Sequence, residues 1–131
     1  MNGTLLTALI VAGMVSMVLG SQSSGAESQL AHMVFFTLKD DSDNAKQKMI
    51  DACNKYLSGH DGTVYYSAGV LVPDLDRDVN DREFHIALHV VFKNRAAHDT
   101  YQKHERHLQF IQENKENWKK VRVFDSYLSA N

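Results

Sequence analysis

A single α+β domain, with a four-stranded antiparallel sheet carrying its helices on one face, is the fold class this chain predicts. Three observations carry that expectation. Along "FHIALHVVF" (84–92) apolar residues alternate, so Phe84, Ile86, Leu88, Val90 and Phe92 share one face, and His85, Ala87, His89 and Val91 share the other. Through 43–58 the apolar residues Ala45, Met49, Ala52, Cys53, Tyr56 and Leu57 recur at helical spacing. Segments of these two kinds follow one another as strand, helix, strand, strand, helix, strand. The length, 131 residues, fits one domain.

The first strand is "AHMVFFTLK" (31–39), short, aromatic and β-branched, stopped by Lys39-Asp40-Asp41. Asp41 or Ser42 offers an N-cap for the helix over 43–58, and Gly59 ends it in the left-handed conformation that suits glycine. Cys53, the one cysteine, lies on the apolar face and reads as a small core residue. The second strand is "GTVYYSAGVLV" (62–72), closed by Pro73, the one proline. The polar connection 74–83 carries Asp74, Asp76 and Asp78, as a calcium loop begins. It has Val79 where such a loop needs glycine and His85 where it needs glutamate, so it reads as a solvated loop. After the third strand, Asn94 caps a helix through Ala97 and Tyr101. A further helical segment carries Leu108, Ile111 and Trp118, and "VRVFDSYL" (121–128) is the last strand.

The head of the chain is a separate object. All 14 basic and 16 acidic side chains fall in residues 27–131, whereas Leu5–Gly20 is a run of 16 apolar or small residues. That run is short for a membrane span, which takes about 20 residues, and close to the apolar region of a signal peptide. Ser24-Gly25-Ala26 provides small residues before a cut at Glu27. The expectation is export, to a periplasm or the cell exterior, with 1–26 as signal peptide and 27–131 as the mature domain. An anchor uncleaved through residues 5–20 is the alternative. Once cleaved, the domain has no stable membrane partner. The net charge of −2 gives no basic field for nucleic acid.

The order βαββαβ is the split ferredoxin-like pattern. Helices on one face leave the other bare, and a face rich in Phe and Val is too apolar for water. A homodimer, sheet against sheet, is the expected remedy.

The segments "HMVFFTLKD", "FHIALHVVF", "YQKHERHLQFI" and "VRVFDSYL", in this order and spacing over 32–128, resemble the stress-responsive A/B barrel (Dabb) domains. The resemblance implies a ferredoxin-like protomer of a dimeric α/β barrel, with a pocket between each sheet and its own helices. Many members have undefined chemistry; a plant member cyclises a polyketide, using a histidine paired with a tyrosine. Read residue by residue, the resemblance implies His107 as acid–base catalyst, Tyr101 as its partner, and His32 and His85 as strand histidines of the pocket. A further pocket tyrosine of that member falls near Asn54 and is missing here. Where the family commonly has His-Pro-x-His, this chain has His104-Glu105-Arg106-His107. On an unbroken helix Tyr101 and His107 point about 120° apart. They converge only if the chain breaks between them.

The stretch "YQKHERH" (101–107) therefore has three readings. As an enzyme, His107 and Tyr101 move a proton on a polyketide-like carbonyl compound. As a metal site, His104 and His107, with His98 nearby, lack a third ligand pattern, so no metal and no cofactor is expected. As a pocket wall, His32, His85, Tyr101, His104 and His107 line the seam between helix and sheet, which takes a small apolar or aromatic ligand. The third is preferred. His60 and His98 read as loop and surface residues, and Lys103, Arg106, Lys119, Lys120 and Arg122 as solvated charges.

Overall fold

The computed structural model describes residues 27–130; the expected signal segment and the Ser24-Gly25-Ala26 cut lie outside them. Among the described residues no helix is long and apolar enough to cross a membrane. Four strands, β1 (Leu30–Leu38), β2 (Thr63–Val70), β3 (Ile86–Phe92) and β4 (Trp118–Tyr127), form one antiparallel sheet in the order β2-β3-β1-β4. Helices α1 (Asp43–Leu57), α2 (Arg95–Lys103) and α3 (Glu105–Asn114) cover one face, and a 3₁₀ turn at Lys115–Asn117 leads into β4. This is the ferredoxin-like α+β fold expected.

Side-chain alternation decides what goes inside. Val34 and Phe36 of β1 and Ile86, Leu88, Val90 and Phe92 of β3 point at the helices and are buried, meeting Met49, Cys53, Leu57 and Phe110. Cys53 is fully enclosed and its thiol is pushed up to about 12 by burial, as an inert core residue should be. Of the two cap candidates for α1, Ser42 takes the role: its Oγ accepts from the Ala45 N–H at 3.2 Å. Asn94 caps α2 the same way, accepting from the Ala97 N–H at 2.8 Å. Gly59 follows α1 with φ of +71°.

Three assignments change. Trp118 opens β4 rather than closing a helix, because the 3₁₀ turn at Lys115–Asn117 ends the helical run first. Phe84 leaves the alternation of its stretch: regular pairing begins at Ile86, and the Phe84 ring packs on Phe35, on the open face. Arg106 and Arg122 are not merely solvated. The Arg106 guanidinium donates to the carbonyls of Lys55 and Ser58 at 2.7 and 2.9 Å, tying α3 to the end of α1. Arg122 grips both oxygens of Asp81 and holds the long connection 71–85 against the sheet.

The face of the sheet away from the helices carries a cluster of its own. The Phe35 ring stands edge-on to Phe84, with centroids 5.0 Å apart, and to Phe124, 5.7 Å apart, and Phe124 is 54% exposed.

Candidate functional site

The site begins with a break in the backbone. Helix α2 stops at Lys103, and His104 takes φ −65° and ψ 141°, an extended conformation. Its backbone N–H reaches back to the Tyr101 carbonyl at 3.1 Å, closing α2, while its Nδ1 accepts from the Arg106 N–H at 3.1 Å, opening α3. One histidine caps two helices, and the break that proline commonly enforces in the family happens here without it. The turn of direction brings the rings of Tyr101 and His107 to 4.6 Å between centroids, a pairing that a continuous helix would not make. It also sets the phase of α3, so that His107 and Phe110 face inward and Leu108 outward.

Tyr101 is the hub. It is 2% exposed, and its ring meets those of Phe92 at 4.9 Å, His60 at 4.9 Å and His32 at 6.0 Å, besides His107. Burial raises its phenol pKa, so the hydroxyl stays protonated. The His107 Nδ1 lies 3.1 Å from the Gln102 carbonyl; a carbonyl only accepts, so Nδ1 carries the proton and Nε2 keeps its lone pair. Burial chiefly lowers the pKa of His107, the backbone hydrogen bond pulls it back up, and His32, His60 and His98 lower it further. His107 is therefore neutral at pH 7, a base rather than an imidazolium.

Beside this pair, His32 on β1 and Asp125 on β4 face each other across the sheet register, with Nδ1 2.5 Å from Oδ1. Burial lowers the pKa of His32, and Asp125 raises it in part. His98 and Gln102, one turn apart on α2, complete the group: the Gln102 amide nitrogen lies 3.3 Å from the His98 Nε2 and 3.5 Å from the His32 Nε2. The whole set borders a cavity of about 330 Å³ between the helices and the β1–β4 side of the sheet, with a floor of Val34, Phe36, Leu88 and Phe110. Such a volume suits a small molecule, oriented by a few polar groups among apolar ones.

Of the sequence-based candidates, His32, Tyr101 and His107 meet in this cavity, and His85 and His104 do not. His85 precedes β3, and its Nδ1 accepts from the Leu38 N–H at 2.9 Å, satisfying the end of β1. Leu38 is six residues along the strand from His32, about 20 Å. His104 is occupied with capping and borders a separate small cleft with His60. Two residues passed over in the sequence belong here. His98 lines the cavity, and His60, 8% exposed, holds the Tyr56 carbonyl at 2.7 Å and buttresses Tyr101 from behind. His98 lies three residues before Tyr101, a helical neighbour spacing that could have flagged it. Asp125 carried no such signal; only the register of β4 against β1 places it.

Fold and site together define a ferredoxin-like α+β protomer with a histidine- and tyrosine-lined cavity between sheet and helices. The family model for the stress responsive A/B barrel domain matches residues 30–128, and the chain belongs to that family. A Dabb family protein with a ferredoxin-like fold from Mesorhizobium loti is similar in structure, with TM-score 0.64 and 22% identity over 79% of this chain and 100% of the other. A dimeric ferredoxin-like protein of unknown function from Thermobifida fusca aligns with TM-score 0.63 and 14% identity over 78% and 92%. The hydroxynitrile lyase from Passiflora edulis aligns with TM-score 0.63 and 19% identity over 82% and 98%. No curated protein matches the chain by sequence.

Proposed function

We propose that the chain is an exported, homodimeric A/B barrel protein that holds a small apolar or aromatic molecule in the cavity between its sheet and helices. The observation that carries this reading is the cavity itself: about 330 Å³, apolar in its floor, with Tyr101, His107, His32 and Asp125 among its lining. Trp118 also lines the cavity, its ring packed against Phe36 and Phe110. The open sheet face, with Phe35, Phe84 and Phe124 clustered on it, supports the dimer, as does the dimeric state of the Thermobifida fusca relative. Export rests on the uncharged head of the chain. N-terminal sequencing of the protein from its native cell is expected to begin near Glu27, and an intact Met1 in the soluble cytoplasm would refute it.

Calorimetry against a panel of small aromatic aldehydes and phenols tests the binding. Weak association is expected, at about 10–100 μM or roughly −5.5 to −7 kcal/mol. No heat from any member of the panel at millimolar concentration would overturn the reading.

A second reading has a specific observation behind it. The rings of Tyr101 and His107 meet without the family's proline, 4.6 Å between centroids, and His107 is a neutral imidazole whose Nδ1 is held by the Gln102 carbonyl. That pair can take a proton from, or return one to, a carbonyl compound. The Passiflora edulis hydroxynitrile lyase shares the fold, so this architecture can house an enzyme.

A further inference from the structure

We propose that His32, His98 and Asp125 form a binding site for a divalent transition-metal ion of the zinc class, placed at the rim of the cavity. One donor atom from each of the three lies within 4.8 Å of the others. The imidazole rings of His32 and His98 stand 5.2 Å apart between centroids. Two nitrogens and one carboxylate oxygen are the donor set that borderline metals prefer, at about 2.0–2.2 Å from the ion. Around an ion bound at that distance the donors would sit about 3.4 Å apart, so the His32 Nδ1 and Asp125 Oδ1, now 2.5 Å apart, would open by about an ångström, and donors now up to 4.8 Å apart would close by about as much. Side-chain rotation supplies such a movement.

The three ligands come from three elements that the fold holds together, β1, α2 and β4. The short contact between the His32 Nδ1 and Asp125 Oδ1 marks where the ion enters, taking the place of the proton these two atoms share. Groups behind the ligands are already positioned. Asp99 accepts from the His98 Nδ1 at 2.9 Å, which keeps the lone pair on Nε2, where the ion would displace the Gln102 amide now 3.3 Å away. The Gln102 amide nitrogen stands 3.5 Å from the His32 Nε2, and a flip of that amide would turn its Oε1 there to accept the Nε2 proton once Nδ1 is on the metal. Metal-binding imidazoles need such partners to fix their tautomer and orientation. Access is open, because the Asp125 side chain is 46% exposed. With three protein ligands, a fourth position stays free for water or for a donor atom of a cavity ligand. The site does not depend on an organic molecule occupying the cavity.

The test uses the purified full chain freed of metal by chelation, with Co²⁺ as a spectroscopic probe and Zn²⁺ as competitor. One Co²⁺ per chain is expected, with the visible absorption of a four- or five-coordinate ion, displaced by Zn²⁺. His98→Ala and Asp125→Asn should each weaken binding at least about tenfold, whereas His89→Gln, on the opposite face of the sheet, should not change it. Melting curves of the metal-free variants separate loss of a ligand from loss of the fold, and His98→Gln replaces His98→Ala if the latter unfolds. Absence of the absorption, or equal weakening by His89→Gln, would overturn the proposal.

Discussion

Tyr101 and His107 meet ring against ring, 4.6 Å between centroids, because the chain leaves the helix at His104 and re-enters it at Glu105. Glu105 is thus the first residue of α3, a position where proline is tolerated, and His104 already has the extended backbone that a following proline requires. Glu105→Pro is therefore expected to keep the stability of the protein within about 1 kcal/mol, measured by urea denaturation. In a continuous helix the same change would cost about 3 kcal/mol or more, so a loss of that size would contradict the break.

His107→Ala and Tyr101→Phe separate binding from catalysis. For a binding protein, each should weaken affinity for the aromatic panel and abolish no reaction; Tyr101→Phe keeps the ring and should stay folded. Screening β-polyketide lactones, aldehydes and thioesters is expected to show no turnover. A substrate whose conversion falls about 10²–10⁴-fold in His107→Ala, and which also needs the Tyr101 hydroxyl, would establish the enzyme instead.

Stability should depend on pH through His60 and His107. Both have folded pKa values below the usual histidine value, chiefly through burial. Around His60, Arg106 and His104 lower it further, while the Tyr56 carbonyl and Asp61 oppose the shift. The unfolded chain then binds more protons than the folded one between the folded pKa values and about 6.5. The contribution is full above pH 6.5 and is lost as pH falls through the folded values. Urea midpoints should drop between pH 7.5 and 5, and His60→Gln should flatten the drop; an unchanged profile would count against the assignment.

Gly62 has φ of +80°, and a Cβ built there would come 2.5 Å from the Ala97 Cβ on α2. Gly62→Ala should destabilise by about 1–3 kcal/mol, since backbone strain and a clash with a helix act together. Thermal unfolding checks this, and a neutral result would mean that α2 can move away from the loop.

Phe124→Lys places a charge on the open sheet face without touching the helix side. Sedimentation should show the dimer turning into a monomer with unchanged circular dichroism. A variant that sediments like the unaltered protein would exclude this face as the interface.

What the sequence determined by itself was the layered architecture. Period-two alternation from Ile86 to Phe92, helical spacing from Ala45 to Leu57, and the cap Asn94 are local properties, visible to any reader of the chain because burial acts on each face separately; the choice of Ser42 over Asp41 was left to the structure. The sequence also placed His32, Tyr101 and His107 in one pocket, by resemblance rather than by geometry. Only the tertiary structure decided which histidines meet. His85 was lost to the site because it satisfies the end of β1, and His104 because it caps two helices. His98 and Asp125 were gained because strand register and helix docking bring residues far apart in the chain to neighbouring positions. The break at His104 belongs with them. No proline marks it, and with it Tyr101, His107 and Phe110 are all buried, whereas an unbroken helix would point Tyr101 and His107 about 120° apart.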